Sequence, residues 1–144
     1  TLPYKKYPEI PAFNIRLMDS FSVFNTFNIP RGRPILFFYF DPDCKHCHDV
    51  AAELIKGMDS ISNVDFYFVT PSVNMTRTRE FYKDLGMEKY KNIKVMGRDY
   101  EYFFIDYYGL NSFPDFALYD EHKKFVHLFQ GRLTVRDLFE YTHR

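Results

Sequence analysis

Ile35-Leu36-Phe37-Phe38-Tyr39-Phe40-Asp41-Pro42-Asp43-Cys44-Lys45-His46-Cys47 runs from six consecutive apolar residues, through an Asp-Pro-Asp break, into a pair of cysteines. The apolar run shows no alternation and is bounded by Pro34 and Pro42, which is how a strand buried on both faces of a parallel sheet reads. The break at residues 41–43 is followed by an expected helix from near Cys44 to about Met58. Along it Cys47, Ala51, Leu54 and Met58, with Val50 and Ile55 beside them, fall on one face of a 3.6-residue period. A buried strand handing over to a helix, with the cysteines at the junction, is the centre from which the rest of the chain is read.

Downstream, Val64, Phe66 and Phe68 mark a strand that stops at Thr70-Pro71. Residues 75–85 read as a helix with Phe81, Tyr82 and Leu85 inward, ended by Gly86. A short strand is expected at 93–96 and a short helix at 99–107. Residues 116–119 and 125–129 form two strands around the polar turn 120–124, a hairpin signal. Thr134, with Asp137 three residues later, opens a last helix in the manner of a capping box. Upstream, Phe13, Ile15 and Leu17 alternate with Asn14, Arg16 and Met18, a strand pattern. Residues 23–27 read as a second short strand or a turn, and 28–34 as a loop by their Pro and Gly punctuation. Residues 1–12, with Pro3, Pro8 and Pro11, read as an extended lead-in or tether, and 13–144 as one domain. Early parallel crossovers followed by a late hairpin predict an α/β fold with a central mixed sheet flanked by helices.

Composition narrows the function. The chain has 144 residues, 46% of them hydrophobic, enough for one packed core. Lys plus Arg equals Asp plus Glu at 19 each. Without a basic patch there is no electrostatic footprint for nucleic acid. The longest apolar run, residues 35–40, is far short of the roughly 20 residues that span a membrane. The sequence begins without Met or a charged-then-apolar leader, which leaves open a cytosolic protein and one whose signal segment was removed upstream. Seventeen Phe and twelve Tyr with no Trp predict an aromatic core with Tyr at its margin.

The two cysteines of the chain sit three positions apart. A bridge over so short a loop gains little loop entropy, so the pair reads as chemistry rather than as a staple. Cys44 at the helix tip meets unsatisfied amides and the positive end of the helix dipole, both of which favour a thiolate. Lys45 and protonated His46 add positive potential and Asp43 opposes it, so these three tune the Cys44 sulfur. Cys47 lies one turn on, at a spacing of about 5 Å that suits a disulfide, and it begins the apolar stripe. An accessible sulfur that attacks, backed by a sheltered one that resolves, is what thiol–disulfide exchange requires.

The same residues admit competing readings. Cys44-Lys45-His46-Cys47-His48 satisfies the pattern for covalent haem attachment, but a buried strand directly upstream argues against it. Zn²⁺ or copper would need a second Cys/His pair, and His122, His127 and His143 are scattered. A thiol peroxidase would need Pro and Thr where Phe37 and Asp41 stand. A non-enzymatic module that holds a peptide or a metal is the main alternative to catalysis.

The strand, the Cys-x-x-Cys pair, the helix and a later Pro opening a hairpin strand together resemble the thioredoxin superfamily over roughly residues 10–143. The lead-in strands and the segment 90–112, read as an insertion before the proline strand, resemble its bacterial TlpA/ResA-like branch, as does the motif Phe-Asp-Pro-Asp-Cys-x-His-Cys. The resemblance implies a thiol–disulfide oxidoreductase acting on protein disulfides, most often as a reductase, supplied by an upstream electron donor or acceptor and needing no cofactor or metal. It also implies an extracytoplasmic, periplasmic or membrane-tethered protein that touches the membrane only through an anchor removed from the N-terminal side. By position, Cys44 becomes the attacking thiolate, Cys47 the resolving thiol, Pro114 a cis-proline facing the pair, and Phe113 the residue that offers its backbone to an extended substrate. Three positions depart from the pattern: Asp43 replaces a Trp, Phe38 the buried acid of the central strand, and Val50 the helix Glu. Proton transfer at Cys47 is left to Glu53, Asp41, His48 or water.

Overall fold

In the computed structural model, which describes residues 1–110 and 112–144, the apolar run becomes strand β3 (Ile35–Tyr39), buried along its whole length. In chain order it is preceded by helix α1 (Pro3–Lys6) and strands β1 (Asn14–Leu17) and β2 (Val23–Asn25), and followed by α2 (Lys45–Lys56), β4 (Asp65–Thr70), α3 (Met75–Asp84), β5 (Ile93–Arg98), α4 (Phe103–Tyr108), β6 (Asp115–Tyr119), β7 (Phe125–Gln130) and α5 (Val135–Thr142). The seven strands form one sheet in the order β2-β1-β5-β4-β3-β6-β7. β3, β4 and β5 run parallel, while β6 lies antiparallel to β3 and β7 antiparallel to β6. This is the mixed α/β sheet that the order of elements predicts.

Two aromatic cores, one on each face, explain why β3 lacks alternation. Leu36, Phe38 and Phe40 pack with Cys47, Ala51 and Leu54 of α2 and with Leu138 of α5. Ile35, Phe37 and Tyr39 pack on the other face with Phe13, Phe104 and Tyr108. The tyrosines are not confined to the margin as the composition predicts, for Tyr39, Tyr108 and Tyr119 are fully buried. Burial is tolerable for two of them because the Tyr108 and Tyr119 hydroxyls hydrogen-bond each other at 2.7 Å.

Three boundaries differ from expectation for local reasons. α2 stops at Lys56 with Gly57 as its C-cap, where the missing side chain also lets α5 approach: a Cβ there would lie 2.7 Å from Val135 Cγ2. β5 runs to Arg98 because Gly97 allows β1 to come within pairing distance, where a Cβ would clash with the Arg16 carbonyl. The helix expected from residue 99 begins at Phe103, and the Asp99 carboxylate accepts from the Phe103 and Phe104 amides at 3.0 and 2.8 Å. Within the lead-in, Pro3–Lys6 forms one helical turn, Tyr4 packs on Tyr108 and Phe125, and Glu9 bridges to Lys124. The capping box at Thr134 and Asp137 forms as the sequence predicts.

Candidate active site at the start of α2

Cys44 is the N-cap of α2, and its sulfur takes the place usually held by a Ser or Asp oxygen. It accepts from the Cys47 amide at 3.2 Å. One of the four amides that a helix start leaves without an intrahelical partner is thus directed at this sulfur, where it favours negative charge. Pro42 and Asp43 bring the chain to that point through a turn in which the Cys44 amide donates to the Asp41 carbonyl at 3.0 Å. Both cysteines are free thiols, Cys44 partly accessible and Cys47 buried. Burial first, and then a hydrogen bond with Cys44, push the Cys47 thiol well above the ordinary cysteine range, against the pull of a hydrogen bond from the Asp41 backbone. Cys47 therefore holds its proton at neutral pH.

The charges around the pair are arranged differently from the sequence expectation. Lys45 turns its ammonium to Asp49, one turn along the helix, at 2.9 Å. Asp43, next to the reactive sulfur, is met by Arg77 of α3, whose Nε lies 2.8 Å from its Oδ1, and Arg77 also binds Glu80 at 2.7 Å. Arg77 was not among the residues read from the sequence. It stands 34 positions from Asp43, and no local spacing announces the pair. Because both partners are largely exposed, the expected effect of Arg77→Ala is modest: Cys44 should react with iodoacetamide about two- to threefold more slowly at low salt, as an uncompensated carboxylate opposes the thiolate. The difference should shrink as salt is added, and an identical rate in the two proteins would show that Asp43 has no electrostatic reach to the sulfur.

The Phe113–Pro114 peptide bond is cis. Pro114 is buried, while Phe113 is half-buried with its ring 5.5 Å from that of Tyr39. His46 is exposed and its Nε2 lies 2.6 Å from the Gly131 carbonyl, in the turn after β7. An open groove of about 470 Å³ runs beside the motif, lined by His46, Val50, Arg132, Leu133 and Val135 among others. Phe38 and Val50, where the resemblance places proton-accepting acids, are both buried and apolar. Of the acceptors left open, Glu53 is exposed and pairs with Lys56, and His48 sets its ring edge-on to Phe81 at 5.7 Å. The Asp41 carboxylate, by contrast, acts on Cys47 directly and helps raise it.

Asp115, immediately after the cis-proline and just outside the strand read at residues 116–119, is a buried acid that the sequence reading missed. Burial pushes its carboxyl up to about 6, although the Gly131 amide, donating at 3.0 Å, pulls the other way. A carboxyl raised on folding binds more protons in the native state, so its contribution is most favourable below the unfolded value of about 3.9 and is lost as pH rises through about 6. The expected outcome is that wild type loses urea resistance relative to Asp115→Asn as pH climbs from 4 to 6, with no further divergence above. Parallel midpoints across that range would contradict the burial assigned to this group.

No protein-family profile matches the chain, and no curated protein matches it in sequence. Solved structures do match. A domain of a possible thiol-disulfide isomerase from Cytophaga hutchinsonii superposes with a TM-score of 0.73 at 13% identity, over 98% of this chain and 90% of that one. A thioredoxin-like protein from Aeropyrum pernix gives 0.70 at 11%, over 90% and 87%. A secreted Mycobacterium tuberculosis disulfide oxidoreductase, described as homologous to DsbE of E. coli, gives 0.68 at 15%, over 90% and 92%. At these identities the likeness carries the fold: the sheet, the Cys-bearing helix start and the cis-proline strand together are the thioredoxin fold.

Proposed function

We propose that the chain is a TlpA/ResA-like thiol–disulfide oxidoreductase that reduces disulfides in other proteins. One observation carries the reading: two free thiols on adjacent turns, one capping a helix start and partly accessible, the other buried with its proton held. The Cys44 thiolate attacks one sulfur of a substrate disulfide, forming a mixed disulfide and releasing the other substrate sulfur as a thiolate. Cys47 then gives up its proton and attacks the Cys44 sulfur. The second substrate thiolate leaves, so the substrate gains two electrons and Cys44–Cys47 becomes the disulfide. Of the nearby carboxylates, Asp41 is the one whose charge acts on the Cys47 thiol, and in this reading it accepts the Cys47 proton. Pro114 and the Phe113 backbone line the site for an extended substrate segment, and the groove beside His46 receives the flanking residues.

An upstream dithiol donor restores the reduced pair, and the protein works outside the cytoplasm, where protein disulfides persist. No helix among the described residues is long and apolar enough to cross a membrane. Insulin reduction, with the potential measured against glutathione, tests the reading. Turnover with a strongly reducing potential is expected. Failure to exchange with glutathione, together with equally slow alkylation of both thiols at neutral pH, would leave a peptide-binding module in its place.

A further inference from the structure

The groove beside the motif has a charge balance that the redox chemistry does not use. Asp49, Val50 and Glu53 of α2 form one wall, and Arg132, Leu133 and Val135, at and before the start of α5, form the other. At the end nearest Cys44, His46 Nε2 lies 2.6 Å from the Gly131 carbonyl, and the Gly131 amide donates to the Pro114 carbonyl at 2.8 Å. The groove thus starts where the first turn of α2 meets the cis-proline strand. From His46 to Glu53 the helix advances about 10 Å at 1.5 Å per residue, which is the length of about three residues of extended chain. Its volume of about 470 Å³ is that of a small ligand site.

Charge decides what such a segment carries. Asp49 is held by Lys45 at 2.9 Å, Glu53 lies 3.9 Å from Lys56, and Arg136, also at the groove, binds Glu140 at 3.1 Å. Both acids and one of the two arginines therefore have a partner of opposite sign. Arg132 is exposed and forms no ion pair among the described residues. Its guanidinium is charged at every pH at which proteins work. A carboxylate set against apolar walls loses part of its hydration, and a guanidinium fork that takes both of its oxygens offsets that loss.

We propose that this groove docks an acidic segment of the oxidised partner protein and that Arg132 selects it. A substrate carboxylate within about four residues of the attacked cysteine pairs with the guanidinium, while a neighbouring apolar side chain packs on Val50, Leu133 and Val135. A basic segment meets like charge at Arg132 and finds the two acids already paired. This deepens the oxidoreductase reading and rests on it.

The full chain, reduced and freed of excess reductant, is mixed in single turnovers with disulfide-bonded peptides. These are rich in Gly and Ser, carry one Leu near the cysteine, and differ only in an Asp or a Lys placed up to four residues from it on either side. At the most sensitive position, the wild type should react about three- to fivefold faster with the Asp peptide, through half-saturation rather than maximal rate. Added salt should shrink that ratio. Arg132→Gln should bring it to about one, and Arg132→Glu should invert it. A ratio unchanged in both variants, or a wild type indifferent to charge at every position, would overturn the proposal. Binding is read apart from chemistry by the fluorescence anisotropy of labelled peptides in which serine replaces the cysteine. The same preference, lost in Arg132→Gln, is expected there, and equal affinities would again overturn the proposal. A protein that prefers the acidic peptide in anisotropy but exchanges with no disulfide would sink the oxidoreductase reading and leave the docking site standing.

Discussion

Replacing Cys44 with serine is expected to lower insulin reduction by roughly a thousandfold or more, the scale of loss when a covalent nucleophile is removed. The serine hydroxyl can still cap α2, accepting from the amide that Cys44 Sγ now receives at 3.2 Å, so the fold should survive and the loss should be chemical. A circular dichroism melt within a few degrees of wild type is the control. Cys47→Ser should behave differently. It keeps the attacking sulfur and lacks the resolving one, so the protein should accumulate mixed disulfides with its partners, visible as adducts on non-reducing gels and released by dithiothreitol. Because Cys47 is buried and keeps its proton, it should not replace Cys44 as the attacker. Full activity in Cys44→Ser would remove the assigned nucleophile, and trapping by that variant rather than by Cys47→Ser would invert the two roles.

Phe38→Ala should be the most damaging single truncation in the core. The side chain has no exposure, stacks on Phe68 at 4.6 Å and meets Phe116 edge-on at 4.8 Å, in a strand flanked by β4 and β6. Removing a buried Phe costs about 3–5 kcal/mol through lost transfer energy and the cavity left behind. Against a total of roughly 5–15 kcal/mol, that would shift the melting temperature by about 10–15 °C for a domain of this size. Urea unfolding of the two proteins measures it directly. A loss below about 1 kcal/mol would mean that neighbouring rings close the gap, which the density of aromatic contacts around Phe38 argues against.

Much of this architecture can be read from the chain because its strongest signals are local. Residues 35–40 lack alternation since both faces of β3 are covered, and Thr134 with Asp137 announces α5 through a contact three residues long. Cys44 and Cys47 can be placed for the same reason: a helix start, its stripe and their spacing all lie within one segment. Phe113 and Pro114 are marked by likeness to a family rather than by their own pattern. The remainder depends on tertiary neighbours. Arg77 reaches Asp43 only because α3 lies beside the start of α2. Asp115 gains its environment from Gly131, 16 positions on, and nothing near either residue foretells the meeting. Tyr108 and Tyr119 could be judged buried only by knowing that each hydroxyl would find the other.

The attachment of β1 to β5 also bears on how the polypeptide matures as it leaves the ribosome. Arg16 lies opposite Arg98, so the hairpin made first waits some eighty residues for the edge it joins. β3 lies between β4 and β6, and it keeps one flank open until residues 115–119 have been synthesised. A nascent chain thus carries an uncovered, Phe-rich ribbon through most of its translation, the kind of exposed surface on which chaperones act. Completion of β6 and β7 buries that ribbon late and cooperatively, and pauses in elongation before residue 115 would prolong its exposure to aggregation.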